Sequence, residues 1–269
     1  MCEKAFGPYS VNRINDRTWR IVENDAVSMY LLEGTKRAVL VDAGWGTGDL
    51  AGLVGSMTKL PVSLIITHGH RDHVCGAYQF PELYISERDE GFLLECYNPA
   101  ARRDMAENRL KSAFAEGISK EEWIQTKPGN IHHLDDGDVF DLGDRPLKMI
   151  AMPGHTPGSL CILDEADGLL LSGDSIQKAP ILMLLDTSLA LREYFESLKN
   201  IDKYKDRFAM VLPGHGESPI GYDVIEDLLE GVASVLGGRT VGEPQQTFFG
   251  EGLVCQFEKT SLIYKGDNL

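Results

Sequence analysis

Apolar positions along the chain fall into short runs of two kinds. β-Branched or apolar runs at Thr18–Val22, Val27–Leu32 and Ala38–Val41, with polar breaks between them, predict strands. Asp42-Ala43-Gly44-Trp45-Gly46 reads as a glycine-rich turn, Asp49–Lys59 as a helix closed by Pro61, and Val62–Ile66 as a buried strand running into Thr67-His68. Strand, helix and buried strand in that order predict an α/β layer arrangement. Glu87–Thr126 changes character. It is rich in Ala, Leu, Glu and Arg, with helical spacing at Phe92, Leu93, Cys96 and again at Met105, Leu110, Phe114, which predicts two or three helices inserted over residues 87–130. Strands return at Asp138–Leu142, Leu147–Met152, Ser159–Leu163 and Leu169–Ser172. Ile181–Lys199 is apolar and then helical, Met210–Leu212 a short core strand, Tyr222–Leu236 a helix, and Thr247–Tyr264 alternates like a closing hairpin. Two apolar strands end alike, one in Pro153-Gly154-His155 and the other in Pro213-Gly214-His215.

Composition narrows the class. At about 150 residues per domain, 269 residues make fewer than two domains, and α/β folds often use this length as one, so residues 1–269 are read as a single domain. An apolar fraction of 43% with scattered Gly and Pro excludes disorder, collagen and coiled coil. Lys and Arg number 26 against 41 Asp and Glu, a net charge of −15 with no basic run to offset it, which excludes nucleic acid as the main partner. No apolar stretch reaches the ~18 residues that span a bilayer, so no membrane partner is expected. Met1-Cys2-Glu3-Lys4 lacks the apolar core of a signal peptide, so the expected location is cytoplasmic. The cysteines, Cys2, Cys75, Cys96, Cys161 and Cys255, are widely spaced without a C-x-x-C pair and read as free thiols of a reducing compartment.

Candidate chemistry concentrates at five of the seven histidines. Thr67-His68-Gly69-His70-Arg71-Asp72-His73 places an H-x-H-x-D-H cluster after a buried strand, where a turn containing Gly lets His68 and His70 point the same way while Asp72 and His73 face a neighbouring position. Imidazole nitrogen mixed with carboxylate oxygen suits Zn²⁺, with iron or manganese as alternatives. Pro153-Gly154-His155-Thr156-Pro157-Gly158 pins an imidazole in a rigid turn, Leu171-Ser172-Gly173-Asp174 puts an acid just beyond an apolar strand, and Pro213-Gly214-His215-Gly216 repeats the first device.

Taken in that order, His68, His70, Asp72, His73, His155, Asp174 and His215 resemble the metallo-β-lactamase superfamily, nearest to its dinuclear hydrolases of the glyoxalase II type. The resemblance runs from about Tyr30 to Gly216. It implies a four-layer αββα sandwich with the metals at one edge. It further implies that His68, His70 and His155 hold one metal, Asp72, His73 and His215 the second, and that Asp174 bridges them. Asp42, in Val39-Leu40-Val41-Asp42-Ala43-Gly44, matches the family's acid after an early strand and is expected to orient a histidine from behind, with a turn-capping role as the alternative. The chemistry expected of such a pair is a shared water whose pKa is lowered toward about 7, giving a metal-bound hydroxide that attacks a thioester, ester or lactone carbonyl. Asp72 is the expected catalytic group, orienting that nucleophile and passing its proton to the leaving group.

Departures from the pattern narrow the branch. Asp174 stands where many β-lactamases carry Cys, which argues against β-lactam cleavage, and Ser175-Ile176-Gln177 lacks the Tyr that quorum-lactone hydrolases place after the bridging acid. Arg239, Lys259 and Lys265 are the cations available near the C-terminal end for glutathione, though no motif places them. Cys75 takes a position usually Gly and is read as packing behind the metals, and His132 and His133 as part of a solvated turn and strand. Ala179-Pro180-Ile181-Leu182-Met183-Leu184-Leu185 is apolar for a segment near a catalytic edge; with the insertion it could roof a pocket for a small-molecule substrate with an apolar acyl part, or serve the core. The insertion equally offers a lid or the face of a homodimer. Persulfide dioxygenases share the scaffold and hold one iron at positions matching His68, His155 and Asp174, which makes a mononuclear-iron dioxygenase the rival reading.

Overall fold

The computed structural model describes residues 7–269, so Cys2 lies outside the described residues. The chain divides into two compact units, the first running to Leu134 and including Asp141–Arg145, the second comprising Asp135–Phe140 and Pro146–Leu269.

The first unit is built on a seven-stranded sheet whose spatial order follows the chain: β1 (Tyr9–Asn15), β2 (Thr18–Glu23), β3 (Val27–Glu33), β4 (Ala38–Val41), β5 (Val62–Ile65), β6 (Glu82–Ile85) and β7 (Asn130–His133). β1 to β4 form an antiparallel meander, and β4 to β7 run parallel. Helices make the parallel crossovers: α1 (Leu50–Met57), the single turn α2 (Arg71–Val74), and then α3 (Glu87–Cys96), α4 (Pro99–Asp104) and α5 (Lys120–Gln125) between β6 and β7. β3 and β4 are buried along nearly their whole length, which is why they read as unbroken apolar runs. β1 is mostly exposed and carries no apolar alternation, so the hydrophobic pattern does not announce it.

Local chemistry sets the helix boundaries. Asp49, Ser86, Asn98 and Ser119 cap α1, α3, α4 and α5, their side-chain oxygens accepting from the backbone of Gly52, Arg88, Ala100 and Glu122. After α4 the chain continues as a π-helical turn over Met105–Arg109. Ile21, Met29, Leu40, Leu64, Leu93 and Trp123 belong to the core of this unit. One carboxylate is buried with them. Glu23 accepts hydrogen bonds from Trp45 N (2.7 Å), Gly46 N (3.3 Å), Thr47 N (2.8 Å) and Thr47 Oγ1 (2.6 Å), and so shapes the loop that follows β4. Burial pushes its carboxyl above the ordinary range while those donors pull it back.

The second unit carries β8 (Val139–Asp141), β9 (Pro146–Ala151), β10 (Leu160–Asp164), β11 (Leu169–Gly173), β12 (Ile181–Met183), β13 (Met210–Pro213), β14 (Glu243–Thr247), β15 (Gly250–Gln256) and β16 (Ser261–Tyr264), with helices α6 (Leu191–Asp202) and α7 (Asp223–Leu236). Five strands form one sheet in the order β13-β11-β10-β9-β8, and four form another in the order β12-β16-β15-β14. β10 runs antiparallel to β9 and β11, while β13 joins β11 in parallel. β9, β11 and β13 therefore point the same way, and the loops that leave them share one sheet edge. Leu163, Leu170, Val211, Leu198, Leu228 and Val232 belong to the core here. The segment Ile181–Met183 is a strand pairing parallel with β16, and Ile181 and Met183 are buried in the core, so packing accounts for this part of the apolar run. The expected closing hairpin has a third strand, β14, exposed along its length and therefore without an apolar signature. No described helix is long and apolar enough to cross a membrane.

Candidate metal centre

The first ligand cluster lies at the carboxyl ends of β4 and β5. These strands run in parallel register, Val41 opposite Ile65, so Asp42 and the Thr67-His68 turn leave the sheet side by side. Asp42 takes a left-handed backbone conformation (φ 63°), which Asp tolerates better than most residues, and its N–H donates to Ile65 O at 2.8 Å. Its carboxylate accepts from Thr67 N (2.8 Å), from Thr67 Oγ1 (2.9 Å) and from His73 Nδ1 (2.8 Å).

Hydrogen-bond accounting then fixes the tautomers. His73 Nδ1 donates to Asp42, which leaves Nε2 as the basic nitrogen. The single proton of the Thr67 hydroxyl goes to Asp42, so its oxygen accepts from His68 Nδ1 at 3.1 Å, and His68 likewise keeps Nε2 basic. The donor atoms of His68 lie within 4.8 Å of those of His70 and of His73, and those of Asp72 and His73 are equally close. The rings of His68 and His73 are 4.1 Å apart at 49°, and those of His68 and His70 are 4.8 Å apart at 85°. His68 and His73 are buried, while His70 and Asp72 are partly exposed.

Residues outside the motif hold this cluster in place. Asp89, fully buried on α3, accepts from Gly69 N at 2.8 Å. A Cβ on Gly69 would sit 2.8 Å from Asp89 O and from the Phe92 Cβ, so only glycine lets the turn pass this close to α3. α2 follows, with His73 N and Val74 N bonded to His70 O, and Ala43 N reaching back to His73 O at 2.9 Å. Cys75 closes α2 inside the apolar core, where burial pushes its thiol well up; it packs and does not present a thiolate. His132 and His133 are on β7, His132 stacked on Tyr84 and His133 against Glu90 at 2.6 Å.

The second cluster leaves the shared edge of β9, β11 and β13. His155 sits in the turn after β9, closed by Met152 N to Ser159 O at 2.8 Å. Gly173 pairs with Pro213 in register, and Gly214 N donates to Gly173 O at 2.8 Å, so Asp174 and His215 emerge next to each other. Asp174 Oδ2 lies 3.6 Å from His155 Nε2 and 3.4 Å from His215 Nε2. His155 Nδ1 donates to Leu182 O at 2.8 Å; a carbonyl can only accept, so Nε2 is again the basic nitrogen and faces the carboxylate. His155 and Asp174 are buried, and His215 is partly exposed. The two Pro-Gly-His turns thus perform one task, presenting an imidazole beyond the end of a core strand.

The donor chemistry suits a divalent ion such as zinc. Both clusters combine imidazole with carboxylate and contain no thiolate, and three imidazoles are locked in the tautomer that offers Nε2. Of the cations weighed for glutathione, Lys259 pairs with Asp223 at 3.4 Å and Lys265 with Asp186 at 2.8 Å, both exposed. Pattern reading missed Glu23, Asp89 and the Thr67 relay, because a buried acid in a strand or a helix start carries no local mark of the backbone it will grip.

The family model of the metallo-beta-lactamase superfamily matches residues 22–215, and the chain belongs to that superfamily. It is 29% identical over 199 residues to the acyl-coenzyme A thioesterase MBLAC2 of Gallus gallus, covering 70% of this chain and 72% of that one. It is 25% identical over 186 residues to BaeB of Bacillus velezensis, a probable polyketide biosynthesis zinc-dependent hydrolase, covering 68% and 70%. Among solved structures, the metallo-beta-lactamase family protein TTHA1429 of Thermus thermophilus shares the fold, with a TM-score of 0.56 at 22% identity, over 78% of this chain and 75% of that one. The protein is a metal-dependent hydrolase of this superfamily, and its mixed α/β architecture is that of the family.

Proposed function

We propose that the chain is a thioesterase with a dinuclear zinc site, acting on a small-molecule thioester with an apolar acyl part. In this reading His68, His70 and His155 hold one ion, Asp72, His73 and His215 the second, and Asp174 lies between them. The observation that carries it is the complete set of nitrogen and oxygen donors in family order, with the Nδ1 atoms of His68, His73 and His155 each engaged from behind. The family model covers residues of both units, which supports reading residues 1–269 as one functional domain. When bound, such ions acidify a water and polarise a carbonyl oxygen.

The chain's own residues do the rest. Asp42 keeps His73 and, through Thr67, His68 aimed with Nε2 outward. Asp72, partly exposed beside His73, takes the proton of the attacking water and returns it to the departing sulfur as the C–S bond breaks. Thioester is preferred over ester because the relatives with a stated acyl substrate are acyl-coenzyme A thioesterases. The test is a panel of acyl thioesters, matching oxygen esters and lactones, assayed with a thiol reagent and a pH indicator. Medium- and long-chain thioesters should exceed the other two classes in kcat/KM by at least about tenfold, or ~1.4 kcal/mol. A preference for lactones, equal turnover of short polar and long-chain thioesters, or oxygen uptake with a persulfide in place of hydrolysis would each contradict the reading.

A further inference from the structure

Two buried tyrosines, one in each unit, make the same contact with a ligand loop. Tyr97 ends α3 and donates its hydroxyl to Val74 O at 2.8 Å, with Cys75 O at 3.3 Å. Val74 directly follows His73, and α2 is a single turn, so no further turn of α-helix supplies an N–H to the Val74 carbonyl. Tyr194, on α6, donates to Ser175 O at 2.7 Å, the carbonyl directly after Asp174. Its ring also lies under the other ligand turn. A Cβ on Gly154, the residue before His155, would come within 2.7 Å of the Tyr194 Cδ2 and 2.8 Å of its Cβ. The same helix sends Ser197 Oγ to Pro153 O at 2.7 Å, so α6 grips the His155 turn and the Asp174 turn together. Burial pushes both phenols well above their ordinary range, so each stays a neutral donor at any working pH.

A phenylalanine would fill the same apolar space, so what a Tyr→Phe change removes is the hydroxyl and its hydrogen bonds, which for Tyr194 is the one to Ser175 O. The Tyr194 hydroxyl has no second partner among the described hydrogen bonds, whereas Tyr97 Oη also accepts from Tyr78 N at 3.0 Å. We infer that Tyr97 and Tyr194 are positioning residues, each hydroxyl holding its ligand loop in the geometry that a metal ion requires and so setting the metal affinity of its own cluster. The inference rests on the metal reading above. It adds an asymmetry. Tyr97 braces only Asp72 and His73, the donors of one ion, whereas Tyr194 braces His155 and Asp174, and Asp174 is assigned to both ions.

The test titrates zinc into the metal-free full chain against a chromophoric chelator, for Tyr97→Phe, Tyr194→Phe and Tyr264→Phe. Tyr264 is the control, a buried tyrosine whose hydroxyl accepts from Gly242 N at 3.2 Å, outside both ligand loops. Tyr194→Phe should weaken both zinc equivalents by about tenfold to a hundredfold, the usual effect of losing a group that orients a ligand. Tyr97→Phe should weaken one equivalent by the same factor and leave the other at the parental value, and Tyr264→Phe should change neither. Melting of the metal-free variants checks that all three fold; a merely structural hydroxyl would lower that melting temperature and leave zinc affinity alone. Parental zinc affinity in both Tyr97→Phe and Tyr194→Phe, or equal weakening in all three variants, overturns the inference while leaving the metal reading intact. A parental chain that fails to take up two zinc ions overturns both.

Discussion

Asp174→Ala is expected to abolish hydrolysis, lowering kcat/KM by at least about 10³-fold, which corresponds to ~4 kcal/mol of transition-state stabilisation. The reason is position. Its carboxylate is buried, 3.6 Å from His155 Nε2 and 3.4 Å from His215 Nε2, and it is the carboxylate among the ligand residues that leave the edge of β9, β11 and β13. Without it each proposed ion loses the carboxylate it shares with the other and keeps only three protein donors, which weakens the binding of both. The purified variant should therefore also lose most of its metal. Folding should survive, since removing a buried carboxylate from the metal-free chain relieves its desolvation cost. Melting of the metal-free variant at or above the parental temperature, together with lost metal and lost turnover, confirms the assignment; full activity with full metal would refute it.

Asp72→Asn is the second large effect, and it separates proton transfer from ligation. The amide keeps an oxygen in the same place but cannot carry a proton between water and sulfur. We expect kcat to fall by about 10²- to 10⁴-fold, the usual worth of a general acid–base group, with KM changed less than a few fold. Excess zinc should not restore the rate. Recovery of parental kcat on adding zinc would show that Asp72 serves only as a ligand, and would move proton transfer to another group.

The chain order of the donors was legible because their chemistry is local. H-x-H-x-D-H occupies six consecutive positions, and both Pro-Gly-His turns follow apolar runs, so no distant contact is needed to notice them. Family membership and the mixed α/β fold were legible for the same reason. Asp42 was legible only as an acid after a strand; that its partner is His73, with Thr67 relaying to His68, requires β4 and β5 to lie in parallel register. The bracing was not legible at all. Glu23 grips the backbone at Trp45 to Thr47, Asp89 grips Gly69, and Tyr97 and Tyr194 grip carbonyls, and backbone groups leave no trace in a sequence. Among the strands, β1 and β14 escaped and are exposed, where no buried face imposes alternation, while β6 escaped with Leu83 and Ile85 buried, because four residues carry too short a pattern to read. The apolar run after Asp174 could be read two ways, as the roof of a pocket or as core, and Ile181 and Met183 are core, in a strand beside β16.

The measurement that bears most directly on the account is metal content per chain, by elemental analysis of protein purified without added metal. The account predicts close to two divalent ions per chain, zinc foremost, removed by a chelator together with thioesterase activity and restored with it. Close to one iron per chain, or a chain that stays empty when zinc is supplied, would contradict it.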